Sequence, residues 1–179
     1  MSDEISWGNV DAEESVSKEE MENAESMGKA PVGKFLCTVD SSKPKKRDPK
    51  EGKSYFVAGL KHRIDRVIEI SGRQATEEDQ EKWVGKFIFD DIGLPKDGES
   101  ELLKNRRIMI LKRAGILSPS STKIPADAWS VQIVGKQFLI ENVDQLDKKS
   151  GKTYRQVAFD GYHPVEEVSR VTKDDLSDI

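Results

Sequence analysis

The stretch VGKQFLIENVDQLDKKSGKTYRQVAFDGY, residues 134–162, decides how this chain folds. Apolar and aromatic residues crowd WSVQIVGKQFLIENV (129–143) and again TYRQVAFDGY (153–162). Between them QLDKKSGK (145–152) is polar and carries Ser150-Gly151, a composition that favours a tight turn. One or two strands, then this turn, then a strand predict a closing β-hairpin.

Towards the N-terminus the same alternation returns. In KFIFDDI (86–92) Phe87 and Phe89 fall on one face and Ile88 on the other, which predicts a strand. PVGKFLCTVD (31–40) alternates around Phe35, Cys37 and Val39, with Leu36 opposite, and reads as the first strand. SYFVAGLKHRIDRVIEISG (54–72) is long and β-branched and stops at Ser71-Gly72. It reads as one strand or two, while Leu60, Ile64, Val67 and Ile68 also fit a helical period, so both types stay open. SSKPKKRDPKEGK (41–53) holds Pro44, Pro49 and no large apolar residue, and is expected to be a loop.

Two helices are predicted. Thr76 followed by Glu77, Glu78 and Asp79 has the character of a helix start, and this short helix would reach Trp83 before Gly85. The clearer one is ESELLKNRRIMILKR (99–113), with acids at its start, Lys112 and Arg113 in its last turn and Gly115 beyond. Leu103, Ile110, Leu111 and Ala114 share its apolar face. Five or six strands with an inserted helix predict a mainly β fold, a small antiparallel barrel or a curled sheet. Without βαβ alternation a doubly wound parallel sheet is not expected.

The net charge of −4 is unevenly spread. Residues 1–29 hold nine acids against Lys18 and Lys29, and residues 165–179 hold five against Arg170 and Lys173. The span 30–164 is therefore basic, which points to a polyanionic partner. Three parts follow: an acidic N-terminal tail over 1–29, expected to be disordered, a folded domain over 30–164, and an acidic C-terminal tail over 165–179. No stretch is apolar enough for a membrane span, and Cys37 is the only cysteine. A reducing cytoplasm and no membrane association are expected, with Cys37 a buried, inert thiol.

Catalytic signatures are missing from the sequence. It has no phosphate loop, no GxGxxG, and only two histidines, neither in a metal-binding motif. Asp90 and Asp91, adjacent near a strand end, could in principle hold Mg²⁺ for a nuclease. The leading expectation is instead a non-enzymatic binding protein without a cofactor. An adaptor that works through its tails, with no nucleic-acid role, is the alternative.

Basic clusters carry that expectation. Lys43, Lys45, Lys46, Arg47, Lys50 and Lys53 crowd into eleven residues, where each could meet a backbone phosphate. Lys148, Lys149 and Lys152 sit in the closing turn. Aromatic residues flank both clusters, and any base can stack on an aromatic face. Tyr55 is expected on the surface and Phe56 in the core, because neighbours in a strand face opposite ways. Tyr154 follows the second cluster. Trp83, Trp129, Phe87 and Phe138 are expected in the core. The helix over 100–113 adds Lys104, Arg106, Arg107, Lys112 and Arg113. At the C-terminus Asp174, Asp175, Leu176, Asp178 and Ile179 combine acid with apolar anchors, a pattern suited to docking on a partner protein or to competing with DNA for the chain's own basic groove.

PVGKFLCTVD, GKFIFDDIGL, VGKQFLIENV and KSGKTYRQVAFDGY together resemble the small single-stranded DNA-binding proteins of phage replication modules, over roughly 30–163. The ending DDLSDI is similar to the partner-recruiting tails of bacterial single-strand binding proteins, although it lacks their terminal Pro-Phe. The resemblance implies an OB-fold-like antiparallel barrel with an inserted helix. It also implies sequence-tolerant binding of single-stranded DNA in replication or recombination, in a host cytoplasm, with replication or recombination proteins as partners. A monomer and an oligomer are both compatible with it.

Overall fold

The structure, a computed structural model, describes residues 6–18, 20–21, 29–49 and 52–168. It is mainly β. Six strands form one antiparallel sheet: β1 (Gly33–Arg47), β2 (Tyr55–Ile70), β3 (Arg73–Gln74), β4 (Phe87–Gly93), β5 (Gln137–Leu146) and β6 (Thr153–His163). The order is β3-β2-β1-β5-β6, with β4 pairing β2 over Val57–Arg63 on the edge that β1 leaves free. No described helix is long and apolar enough to cross a membrane.

Alternation builds the core. Phe35, Cys37 and Val39 of β1, Leu60 and Ile64 of β2, Ile88 and Ile92 of β4, Phe138 and Ile140 of β5, and Val157 and Tyr162 of β6 all pack together. Each such side chain contributes roughly 1.5–3 kcal/mol by leaving water. Gly33 is required at the start of β1, since a Cβ there would lie 2.1 Å from the Glu69 carbonyl oxygen. Ser71 and Gly72, at φ 49° and 80°, make the tight turn from β2 into β3.

The sheet is not closed. β4 and β6 lie towards its opposite ends, and no ladder joins them among the described residues. Yet the Tyr162 hydroxyl of β6 donates to Asp90 of β4 at 2.8 Å, so the sheet curls until its ends meet through side chains. Helix α1 (Glu77–Trp83) starts at Thr76 as its sequence predicts, and a capping box between Thr76 and Asp79 closes its first turn. Helix α2 (Glu101–Arg113) lies over the open seam and adds Ile110 and Leu111 to the core.

Two expectations are corrected, and the strand reading of 54–72 is borne out. Residues 41–47 belong to β1 and are not loop: Lys43 pairs with Gly59, Lys45 with Val57 and Arg47 with Tyr55. β5 covers β1 only from Gly33 to Thr38, so the rest of β1 is an edge, where a proline and lysines are tolerated. Residues 54–72 hold one long strand, Tyr55–Ile70, and not a helix, because partners on both edges satisfy its backbone. The Trp129 region is not strand: Ala128–Gln132 is a π-helical turn, with Gln132 N–H donating to the Asp127 carbonyl at 3.0 Å, and β5 begins only at Gln137.

Candidate nucleic-acid interface

Register decides which side chains share the face turned away from the core. On β4 the buried Ile88 and Ile92 bracket Asp90, so Phe87, Phe89 and Asp91 turn outward. On β2 the buried Leu60, His62 and Ile64 put Tyr55, Gly59, Lys61 and Arg63 outward, and on β1 Lys43, Lys45 and Arg47 join them. Lys61 lies opposite Phe89 and Arg63 opposite Phe87. The Lys61 ammonium stands 4.0 Å from the Phe87 ring centroid. Phe89 is uncovered, at 65% exposure. The Lys96 ammonium lies 4.2 Å from the Tyr55 ring centroid. The result is a face of rings and cations, the pairing that takes up stacked bases and phosphates together.

Acids restrain part of that charge. Lys45 runs across Gly59, where a Cβ would lie 2.6 Å from its Cε, and its ammonium reaches Asp91 at 3.3 Å. Arg47 donates to the other oxygen of Asp91. Lys46 stands 3.9 Å from Asp48. Lys43 and Lys53 are exposed. Lys50 lies outside the described residues.

The second cluster is a built turn. Asp147 accepts from the Lys149 backbone N–H at 3.0 Å and from the Ser150 hydroxyl at 2.9 Å, and these bonds hold its carboxyl below the usual carboxylate range. Lys148, Lys149 and Lys152 are left exposed beside it. Tyr154 is exposed as well, across from Gln145. A small cavity lined by Phe87, Phe89, Arg155 and Gln156 brings the start of β6 beside the start of β4. The aromatic face therefore runs between the two lysine-bearing turns: the β1–β2 turn at its Tyr55 end, the β5–β6 turn at its Phe87 end.

Family models and curated proteins both fail to match this chain.

Several aromatic expectations change. Phe56 is not core but 56% exposed, because it stands at the rim of the sheet, beyond the last packed residue, Ala58. Tyr55 is half-buried under Lys96. Phe87 is half-buried on the outer face, not in the core, because the core side of β4 belongs to Ile88. Trp129 and Phe138 are buried as expected, and Trp83 packs at the edge of the core. Phe89, the most exposed ring of the face, was not singled out from the sequence. The alternation of KFIFDDI held the signal, once Ile88 and Ile92 are taken as the buried pair.

Asp90 and Asp91 do not converge on a common ion. Asp90 points inward to Tyr162 and to Arg106 at 3.0 Å, and Asp91 points outward to Lys45 and Arg47. Among the described residues no group of three or more His, Cys, Asp and Glu is arranged to hold a metal. All three arginines of α2 are held in ion pairs. Arg107, 2% exposed, forms a two-pronged pair with Glu99 at 2.7 and 2.5 Å and donates to the Gly93 carbonyl at 3.0 Å. Arg106 donates to the Phe159 carbonyl at 2.9 Å, and Arg113 to Asp160 at 2.7 Å. Cys37 is fully buried, and burial beside Asp65 pushes its thiol far up. Asp174, Asp175, Leu176, Asp178 and Ile179 lie outside the described residues.

Proposed function

We propose that this protein binds single-stranded DNA with little base preference, in replication or recombination. The observation that carries this reading is the outward face of β2 and β4, where Phe89, Phe87 and Tyr55 alternate with Lys61, Arg63 and Lys96 between two lysine-bearing turns.

The connectivity supports it. Taking the long strands alone, the order is β4-β2-β1-β5-β6, with α2 between β4 and β5 in the chain. That order is compatible with the proposed OB-fold likeness, a partly open five-stranded barrel that binds oligonucleotides on its second and third strands and on the loops after its first and fourth. Those positions correspond here to β2, β4 and the two basic turns. Exposed rings favour single strands, since duplex bases are already stacked. The acidic end, Asp174 to Ile179, is proposed to recruit a replication or recombination protein, as the tails of bacterial single-strand binding proteins that it resembles do.

The test is a titration of labelled oligo-dT, oligo-dA and a matching duplex at several salt concentrations. The reading expects both single strands to bind alike and more tightly than duplex, with log K falling linearly in log salt. Equal or tighter binding to duplex would overturn it.

A further inference from the structure

Three further lysines collect at a second place. A groove of about 520 Å³ runs between α2 and the segment 117–124, lined by the apolar Ile108, Leu117, Pro119 and Ile124 and by Lys104, Lys112 and Lys123. Ser118, Ser121 and Thr122 add hydroxyls. Lys104 and Lys112, eight residues apart on one helix face, are about 12 Å apart along its axis. None of the three lysines makes an ion pair within 4 Å among the described residues, whereas Arg106, Arg107 and Arg113 of the same helix all do.

The start of α2 is anchored to the end of β4 that lies near Tyr55. β4 ends at Gly93, beside Val57 and close to Tyr55, whose ring carries Lys96. Arg107 bonds the Gly93 carbonyl at 3.0 Å, so the first turns of α2 lie against that end of β4. Lys104, one turn before Arg107 and within the field of Glu99, is the next lysine of the chain after Lys96. Ammonium groups with hydroxyls between them are phosphate-contacting chemistry. The groove's lining holds no aromatic ring, so it suits sugars and not stacked bases.

We infer that a single strand leaving the β2–β4 face at Tyr55 continues over Lys96 into the groove of α2, which holds its backbone by Lys104, Lys112 and Lys123. This rests on the proposed binding of single-stranded DNA and extends its path.

The experiment compares the full chain with Lys104→Gln/Lys112→Gln/Lys123→Gln, using oligo-dT of about 8 and about 30 nucleotides, short and long against a typical site of about 4–16. The variant should bind the short oligonucleotide as the wild type does. For the long one its salt slope should flatten by about 2, at roughly 0.7 per phosphate contact, with affinity at low salt down about 10- to 100-fold. An unchanged long-strand slope overturns the groove path and leaves the aromatic face standing. Equal losses at both lengths also overturn it, because the lysines would then belong to the primary site or, if melting shifts too, to the fold. Loss of an acidic peptide's binding, with DNA unaffected, would assign the groove to protein. Wild-type protein that binds neither length overturns the function and the path together.

Discussion

Tyr162 and Asp90 hold the two ends of an open sheet together: the hydroxyl of one donates to the carboxylate of the other at 2.8 Å, although no ladder joins their strands. His62 Nε2 lies 2.9 Å from the same hydroxyl. A hydroxyl has one hydrogen, and this one goes to Asp90, so His62 must be the Nε2–H tautomer and donate. Arg106 completes the chain at 3.0 Å from Asp90. The seam that a backbone ladder would close is closed by four side chains, one of them from α2 itself.

Tyr162→Phe should therefore destabilise the fold by about 1–3 kcal/mol, since it orphans a buried imidazole N–H and weakens the hold on Asp90. Denaturant titration checks the magnitude. Oligonucleotide affinity of the folded protein should not move, because Tyr162 is fully buried and no part of the outer face.

Acid should weaken the fold through His62. Burial lowers its pKa from 6.5 to about 3. Between those values the unfolded chain binds a proton that the folded protein refuses, so stability falls as pH drops from 6.5 towards 3, by up to roughly 1.4 kcal/mol per unit. Asp90, raised by burial, opposes this just above its ordinary range, and Asp65, lowered by the Thr38, Gln137 and Arg63 hydrogen bonds that outweigh its burial, reinforces it further down. His62→Gln keeps a donor for Tyr162 but cannot titrate. Its stability between pH 6 and 5 should lose about one proton of slope, and a slope equal to that of the wild type would place the acid sensitivity elsewhere.

Strands with one wet face were legible in the sequence, because β1 up to Val39 and β4 write their burial as strict alternation. The far half of β1 was not. An edge strand tolerates the same prolines and lysines that compose a loop, and only the unbroken ladder to β2 tells them apart. The run at Trp129 was too short for periodicity to separate a strand from a helical turn. The two turns that bound the candidate site were legible from charge. Its middle was not, since the pairing of Lys45 and Arg47 with Asp91 depends on a register that brings together residues 44 to 46 positions apart.

Phe89→Ala should weaken oligo-dT binding by about 1–3 kcal/mol, the usual loss of one stacked base. The ring is 65% exposed, so thermal stability should change little. Ile88→Ala on the same strand should do the reverse and lower stability by roughly 2–5 kcal/mol, with the affinity of the folded fraction retained. Full oligo-dT affinity in Phe89→Ala would remove β4 from the interface.

Asp91→Asn should tighten single-strand binding. In the free protein this carboxylate occupies both Lys45 and Arg47 and places a negative charge on the face where phosphates would lie. Bound DNA must compete with it for both cations. Removing the charge ends the competition, so affinity should rise most at low salt and the gain should shrink as ionic strength screens it. If both freed cations then meet phosphates, the salt slope should steepen by about 1.4, at roughly 0.7 for each contact. The fold should hardly notice, because partly exposed ion pairs contribute about 0–1 kcal/mol. Lys46 offers an internal comparison, since its own acid, Asp48, stands 3.9 Å away at the exposed strand tip, and Asp48→Asn should change the slope less. A fall in affinity on Asp91→Asn would mean that the carboxylate positions Lys45 and Arg47 for DNA instead of competing for them. An unchanged slope would mean that the β1 cations never touch the strand.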